Sequence, residues 1–189
     1  MNTLNPENIR LDFPSLAVFP SYVEALREGY YRGSDSVTPE EKIKTYENNP
    51  KAHILSENED KTGQFFTAPT GETFPCVPYE KLWLTCEDVF IGSVSLRLEL
   101  NEFCRNVAGH VGYGIRPHYQ GQGYGTLALR LTRVRAKQNG MEKLLLTCSP
   151  DNTASEKIIV KNGGVYKDTL PDPYGYGLTI RYWVPTAIE

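Results

Sequence analysis

The run Gln120-Gly-Gln-Gly-Tyr-Gly125 stands between a glycine-rich stretch of strand character and a sequence of helical periodicity. That junction restricts the fold more than any other part of the chain. Upstream, Val111–Ile115 alternates apolar residues with glycines, and Arg116-Pro117 closes it. Downstream, Leu127, Leu131 and Val134 recur at i, i+4 and i+7, which predicts an amphipathic helix from about Gln122 to Asn139-Gly140. Glycines at the head of a helix let backbone N–H groups converge where they have no intrahelical partner. Such a helix start carries about half a positive charge and suits a phosphate or pyrophosphate.

Three ligand families use a cradle of this kind. The Walker loop needs a lysine ahead of Ser/Thr, and Gly125-Thr126 has none. Gly123-Tyr-Gly125-Thr-Leu-Ala128 fits the dinucleotide pattern G-x-G-x-x-A. That pattern wants an acidic residue about 20 positions on, at the far end of the next strand, whereas Glu142 precedes the strand Lys143–Cys148. The third family fits. Gln120-x-x-Gly123-x-Gly125, after a strand ending in Ile115-Arg116-Pro117, resembles the pyrophosphate signature of the GNAT superfamily of N-acetyltransferases. The resemblance continues through Asp151-Asn-Thr-Ala-Ser155 and Val160-Lys-Asn-Gly-Gly164, and covers roughly residues 80–184. Gly109–Pro117 and the closing Ile180–Val184 look like a bacterial branch of predicted acetyltransferases.

The resemblance implies acetyl-CoA as cosubstrate, no metal, and an amine as acceptor. It places the cofactor on Ile115, Arg116, Gln120, Gly121, Gln122, Gly123, Tyr124, Gly125 and Thr126, with Asn152 and Ser155 on a second helix. Ile115 and Arg116 would act through their main chain, and one N–H would polarise the thioester oxygen. An amine of pKa about 10.4 is almost wholly protonated at neutral pH, so a base or desolvation has to free it. His110 is the first candidate base, because histidine titrates near neutrality and this one adjoins the glycine-rich strand. Glu102 is the second. One departure stands out: the tyrosine that many GNAT enzymes use to protonate the leaving thiolate is replaced by Ile159, and Gly164 replaces the usual aromatic. Tyr113, Tyr124, Tyr166 or solvent would then supply that proton. The departure also keeps open a second function, a non-catalytic acetyl-CoA-binding or sensing domain.

Charge is uneven: residues 1–60 hold 11 acids and 6 bases, whereas residues 61–189 hold 12 and 14. The basic part carries the phosphate-binding motif, and the acidic part would suit a cationic amine or is simply a soluble surface. A sequence pI near 5.7 argues against nucleic acid. The sequence has no apolar run long enough to span a membrane and no signal-peptide pattern, and its four cysteines lack C-x-x-C spacing. A cytoplasmic protein with buried thiols is expected, and a homodimer is left open.

The expected fold is α+β, with a central mixed, mostly antiparallel sheet flanked by helices in the order β-α-α-β-β-β-α-β-α-β-β. A single domain is expected over 1–189, its acceptor-side segment at about 1–78 and its acetyl-CoA-binding core at about 79–184. Strands are expected at Ile9–Phe13, Lys81–Cys86, Val89–Leu98, Val107–Arg116, Lys143–Cys148, Val165–Asp168 and Leu178–Val184. Helices should start at the capping box Ser21-Tyr-Val-Glu24, stopping before Gly33, and at Thr38-Pro39, stopping at Asn49-Pro50. Another should be capped by Thr153-x-x-Glu156 and end at Asn162-Gly-Gly164. Residues 51–78, with three prolines and Phe65, Phe66 and Phe74, read as an irregular loop beside the acceptor site.

Overall fold

The computed structural model describes residues 4–31 and 37–187; Gly33 lies outside them. The fold is mixed α+β, and its strand ladders are antiparallel wherever register is resolved. Strand β1 (Ile9–Asp12) pairs with β4 (Tyr79–Cys86), β4 with β5 (Val89–Arg97), and β5 with β6 (Val111–Ile115). A second sheet has the order β7-β9-β8, from Lys143–Cys148, Leu178–Pro185 and Val165–Pro171. By density of contact the chain forms two compact units. The first holds Met1–Glu59, Glu80–Ser95 and Tyr113–Ala128; the second holds Asp60–Tyr79, Leu96–Gly112 and Leu129–Glu189.

In the first unit, α1 (Phe19–Arg27) buries Phe19, Tyr22, Val23 and Leu26, a stripe at helical spacing. It packs with Ile43 of α2 (Glu40–Asn48), Ile54 of α3 (Pro50–Glu57), Trp83 and Phe90. Gly29 in left-handed backbone ends α1, with Tyr30 N–H donating to Ala25 O at 2.9 Å and Gly29 N–H to Leu26 O at 3.0 Å. Ser21 does not cap this helix, as its capping box had suggested. Its hydroxyl instead accepts the Phe90 N–H of β5 at 3.1 Å.

Asn49-Pro50 both stops α2 and starts α3, which sequence reasoning missed. The Asn49 side chain accepts the Ala52 N–H at 3.2 Å, and Pro50 takes the first helical position. The rest of the supposed irregular loop lies in the second unit. It contains the short hairpin of β2 (Phe65–Thr67) and β3 (Thr73–Pro75) around Thr70-Gly71. Phe66 and Phe74 pack on Phe103 and Tyr174 there, while Phe65 is exposed.

Also in the second unit, Leu144, Leu146, Leu129 and Val184 are fully buried beside Ile159 of α5 (Thr153–Lys161). β6 begins four residues later than expected. Residues Cys104–Ala108 wind into a wide turn, closed by Gly109 N–H donating to Cys104 O at 2.7 Å. Helix α4 (Tyr124–Gln138) follows the cradle, as its periodicity predicted. No helix among the described residues is long and apolar enough to cross a membrane.

Candidate active site

The cradle is built from backbone geometry that only glycine adopts easily. A short turn over Pro117–Tyr119 leads out of β6, after which Gly121 has φ +74° and Gly123 has φ +90°. The Gly123 carbonyl accepts the Leu127 N–H at 3.1 Å, so Gly123 caps α4 and the N–H groups just after it point out of the helix start. Two neutral amides brace the loop: Gln120 Nε2 donates to Ile115 O at 2.9 Å, and Gln122 Nε2 to His118 O at 2.8 Å. A Cβ built on Gly121 or Gly123 would meet nothing within 4 Å. Both positions are exposed, so the loop leaves room for a ligand beside the helix start.

Arg116 does not reach toward that space. Its guanidinium is buried and forked onto Glu28, with Nε to Oε2 at 2.8 Å and Nη2 to Oε1 at 2.5 Å, while Nη1 donates to Ser21 Oγ at 3.0 Å. This pairing holds the Glu28 carboxyl below its usual range and raises Arg116. The Arg116 N–H donates to Ile91 O at 2.8 Å, and its carbonyl accepts the Tyr119 N–H at 2.8 Å. Its main chain is thus taken by the protein. Alternation along a strand turns the N–H and C=O of Ile115 and Tyr113 the other way, to the edge of the sheet that β6 forms. Of the two residues expected to offer their main chain, Ile115 faces that edge and Arg116 does not. Gly114 has a packing reason to be glycine: a Cβ there would lie 3.0 Å from Tyr31 O and 3.3 Å from Tyr30 Oη.

His110 stands just before β6, after the wide turn. Its N–H donates to Leu145 O at 2.7 Å, and the Leu145 N–H returns to His110 Nδ1, also at 2.7 Å. The imidazole takes the place of a backbone carbonyl as acceptor for the Leu145 N–H. Burial, with Arg97 and Arg105 nearby, pushes its pKa down to about 4. The ring is neutral at physiological pH, and its one basic lone pair already accepts a backbone donor. The turn is stitched down elsewhere as well, with Thr147 Oγ1 donating to Val107 O at 2.5 Å and Arg181 Nη1 to Arg105 O at 2.8 Å. Glu102, at the start of the turn, is exposed, and one of its oxygens accepts the Tyr174 hydroxyl at 3.2 Å.

On α5, the cap is Asn152 and not Thr153: Asn152 Oδ1 accepts the Ser155 N–H at 2.9 Å. The two departures at the end of that helix explain each other. Ile159 is fully buried, and a Cβ on Gly164 would lie 2.5 Å from Ile159 Cγ2. An aromatic at 164 has no room, and a side chain at 159 points into packed protein. Among the described residues, no three His, Cys, Asp or Glu side chains gather as a metal site. The cysteines are free thiols, three of them buried.

Residues 22–165, well over half of the chain, match the model of the acetyltransferase (GNAT) domain. The chain belongs to the GNAT acetyltransferase family. No curated protein sequence matches it. Among solved structures, the ribosomal L7/L12 alpha-N-protein acetyltransferase RimL in complex with coenzyme A is 14% identical with a TM-score of 0.58, over 98% of each chain. A spermidine N-acetyltransferase chimera of Vibrio cholerae SpeG and hSSAT is also 14% identical, with a TM-score of 0.58 over 95% of this chain and 96% of that one. Salmonella typhimurium yncA, solved with acetyl-CoA, is 15% identical with a TM-score of 0.51 over 96% of each. At such identities the likeness is one of fold. The GNAT family uses acetyl-CoA, and the open glycine cradle at Gly121 and Gly123 fits its pyrophosphate.

Proposed function

We propose that this GNAT acetyltransferase moves an acetyl group from acetyl-CoA to a primary amine by direct transfer in a ternary complex. The observation that carries the reading is the braced cradle, whose left-handed glycines border open space at the head of α4. The N–H groups after Gly123 would hold the pyrophosphate, with Gln120 and Gln122 fixing the loop rather than contacting charge. Asn152 and Ser155 would add contacts from α5. The cosubstrate supplies a thioester carbonyl; the Ile115 N–H, which faces the outer edge of β6, would donate to its oxygen as negative charge develops there.

The transfer makes one N–C bond and breaks one C–S bond. The proton lost by the amine and the proton gained by the thiolate balance. The exposed Glu102 side chain or a water molecule would take the first proton; His110 would have to surrender the Leu145 N–H to do so. Solvent or one of Tyr113, Tyr124 and Tyr166 gives the second. The cytoplasm, where acetyl-CoA and reduced thiols coexist, suits this chemistry. Thiol release measured with acetyl-CoA and a broad amine panel tests the reading. Amine-dependent release supports it, whereas acetyl-CoA binding with no release for any amine would leave only a binding domain.

A further inference from the structure

The first unit contains an open cleft of about 440 Å³ bordered by α1, α2 and the end of α3. Four tyrosines line it: Tyr22, Tyr30, Tyr31 and Tyr46. Of its described lining residues only Lys42 and Glu57 carry charge, and the Glu57 carboxylate is paired with the buried Lys81 ammonium. The Lys42 ammonium stands 6.0 Å from the centre of the Tyr46 ring. Of the other carboxylates on these helices and their ends, Glu40 and Glu47 share Arg27 and Glu24 and Glu28 share Arg116, while the exposed Glu41 of α2 does not line the cleft. The cleft is therefore rich in aromatic surface and holds no uncompensated acid among its described residues.

Its inner wall reaches the strand on which the reaction depends. Tyr30 Oη hydrogen-bonds Ser93 Oγ of β5 at 2.7 Å, and Tyr30 and Tyr31 lie against Gly114 of β6. A polyamine brings at least one extra ammonium, which needs a carboxylate once it leaves water. This cleft offers that ammonium Lys42 instead. Tyrosines, by contrast, give a flat apolar body large contact area with few rotors to freeze, and their hydroxyls keep the rim wet.

Resting on the acetyltransferase reading above, we propose that the acceptor is a monoamine carried on a flat apolar body, of the arylalkylamine class. Tyr31 and Tyr46 hold the body, and Lys42 discriminates against polycations. Steady-state thiol release at saturating acetyl-CoA, with 2-phenylethylamine, tyramine, n-butylamine, spermidine and a short peptide as acceptors, tests this. The arylalkylamines should show the highest kcat/KM. Tyr46→Ala should raise their KM about five- to tenfold with little change in kcat. Lys42→Glu, an exposed position that spares the core, should raise kcat/KM for spermidine several-fold. Preference of the wild type for spermidine or the peptide overturns the assignment and leaves N-acetyl transfer standing. So does a Lys42→Glu variant whose spermidine to phenylethylamine ratio is unchanged. Acetyl-CoA binding without release for any amine overturns both.

Discussion

Gly109 and Gly123 share a left-handed backbone, at φ +59° and +90°, yet their surroundings are opposite. A Cβ on Gly123 would enter open space, whereas on Gly109 it would lie 2.6 Å from the Leu145 carbonyl oxygen and 3.4 Å from Leu146 Cα. The turn at Gly109 is closed by the protein's own strand, with His110, Val107 and Arg105 each bonded to the second sheet. The cradle is closed by its own residues, through the side chains of Gln120 and Gln122 and short-range backbone bonds such as Gln120 N–H to Pro117 O. A glycine in a sequence reports that something comes close, without saying whether that thing is the protein or its ligand. In this chain the first kind closes the turn before β6, and the second borders the open space where we propose that acetyl-CoA binds.

Substitution should separate the two kinds. Gly109→Val combines a severe clash with backbone strain and should lower stability by about 3 kcal/mol or more, read from the urea midpoint at unchanged m. Gly123→Val should lower stability by only about 1–2 kcal/mol, the strain alone. Its main effect should be on acetyl-CoA. Losing two charge-assisted hydrogen bonds, at about 1.5–3 kcal/mol each, weakens binding by roughly 100-fold or more, which calorimetry on the folded variant measures. Unchanged affinity in Gly123→Val would break the comparison, because the cradle would then be merely a loop.

The parts of this fold that were legible in sequence are those governed by local rules. The α4 stripe, the α5 stop at Asn162-Gly163-Gly164 and the strand Lys143–Cys148 stand where periodicity and terminators placed them. The cradle was legible for the same reason, since glycine spacing at a strand–helix junction is a local pattern. What escaped were side chains substituting for backbone. The Ser21 hydroxyl serves β5 rather than capping α1, and at His110, where the sequence pointed to strand, the ring accepts the Leu145 N–H as a carbonyl would. Asn49-Pro50 stops α2 as expected, and the same pair also starts α3. The tyrosine cleft is a tertiary feature, because Tyr22 of α1 and Tyr30 just after it come together with Tyr46 only when α2 packs beside α1; the adjacent Tyr30-Tyr31 is its one sequence signal.

His110 sharpens the comparison from the closed side. His110→Ala leaves the buried Leu145 N–H without its acceptor and should lower stability by about 1–3 kcal/mol at neutral pH. The wild type carries a pH signature as well. Its folded-state pKa of about 4 lies below the value near 6.5 expected in the unfolded chain, so between these the unfolded state binds the extra proton. The His110 contribution is complete above pH 6.5, falls as pH drops from 6.5 toward 4, and is lost below that. The slope reaches at most about 1.4 kcal/mol per pH unit. His110→Asn, which can still offer an acceptor, should remove that slope. If the ring only positions β6, His110→Asn also keeps the acid limb of the pH–rate profile; loss of that limb with the fold intact would return the base role to His110.

The smallest expected effect concerns a residue that could belong to either kind. Asn152 caps α5 through the Ser155 N–H, and capping alone accounts for its presence there. Asn152→Asp keeps an oxygen acceptor at the cap and adds a negative charge that the helix dipole tolerates, so stability should change by no more than about 0.5 kcal/mol. A negative charge beside an anionic ligand is a different matter. If α5 contributes to the acetyl-CoA site, Asn152→Asp should weaken binding by about three- to tenfold, and the deficit should shrink as salt is raised from 50 to 500 mM. Equal affinity at low salt, with the melting temperature unmoved, would assign Asn152 to the cap alone and leave the cofactor to the cradle and the edge of β6.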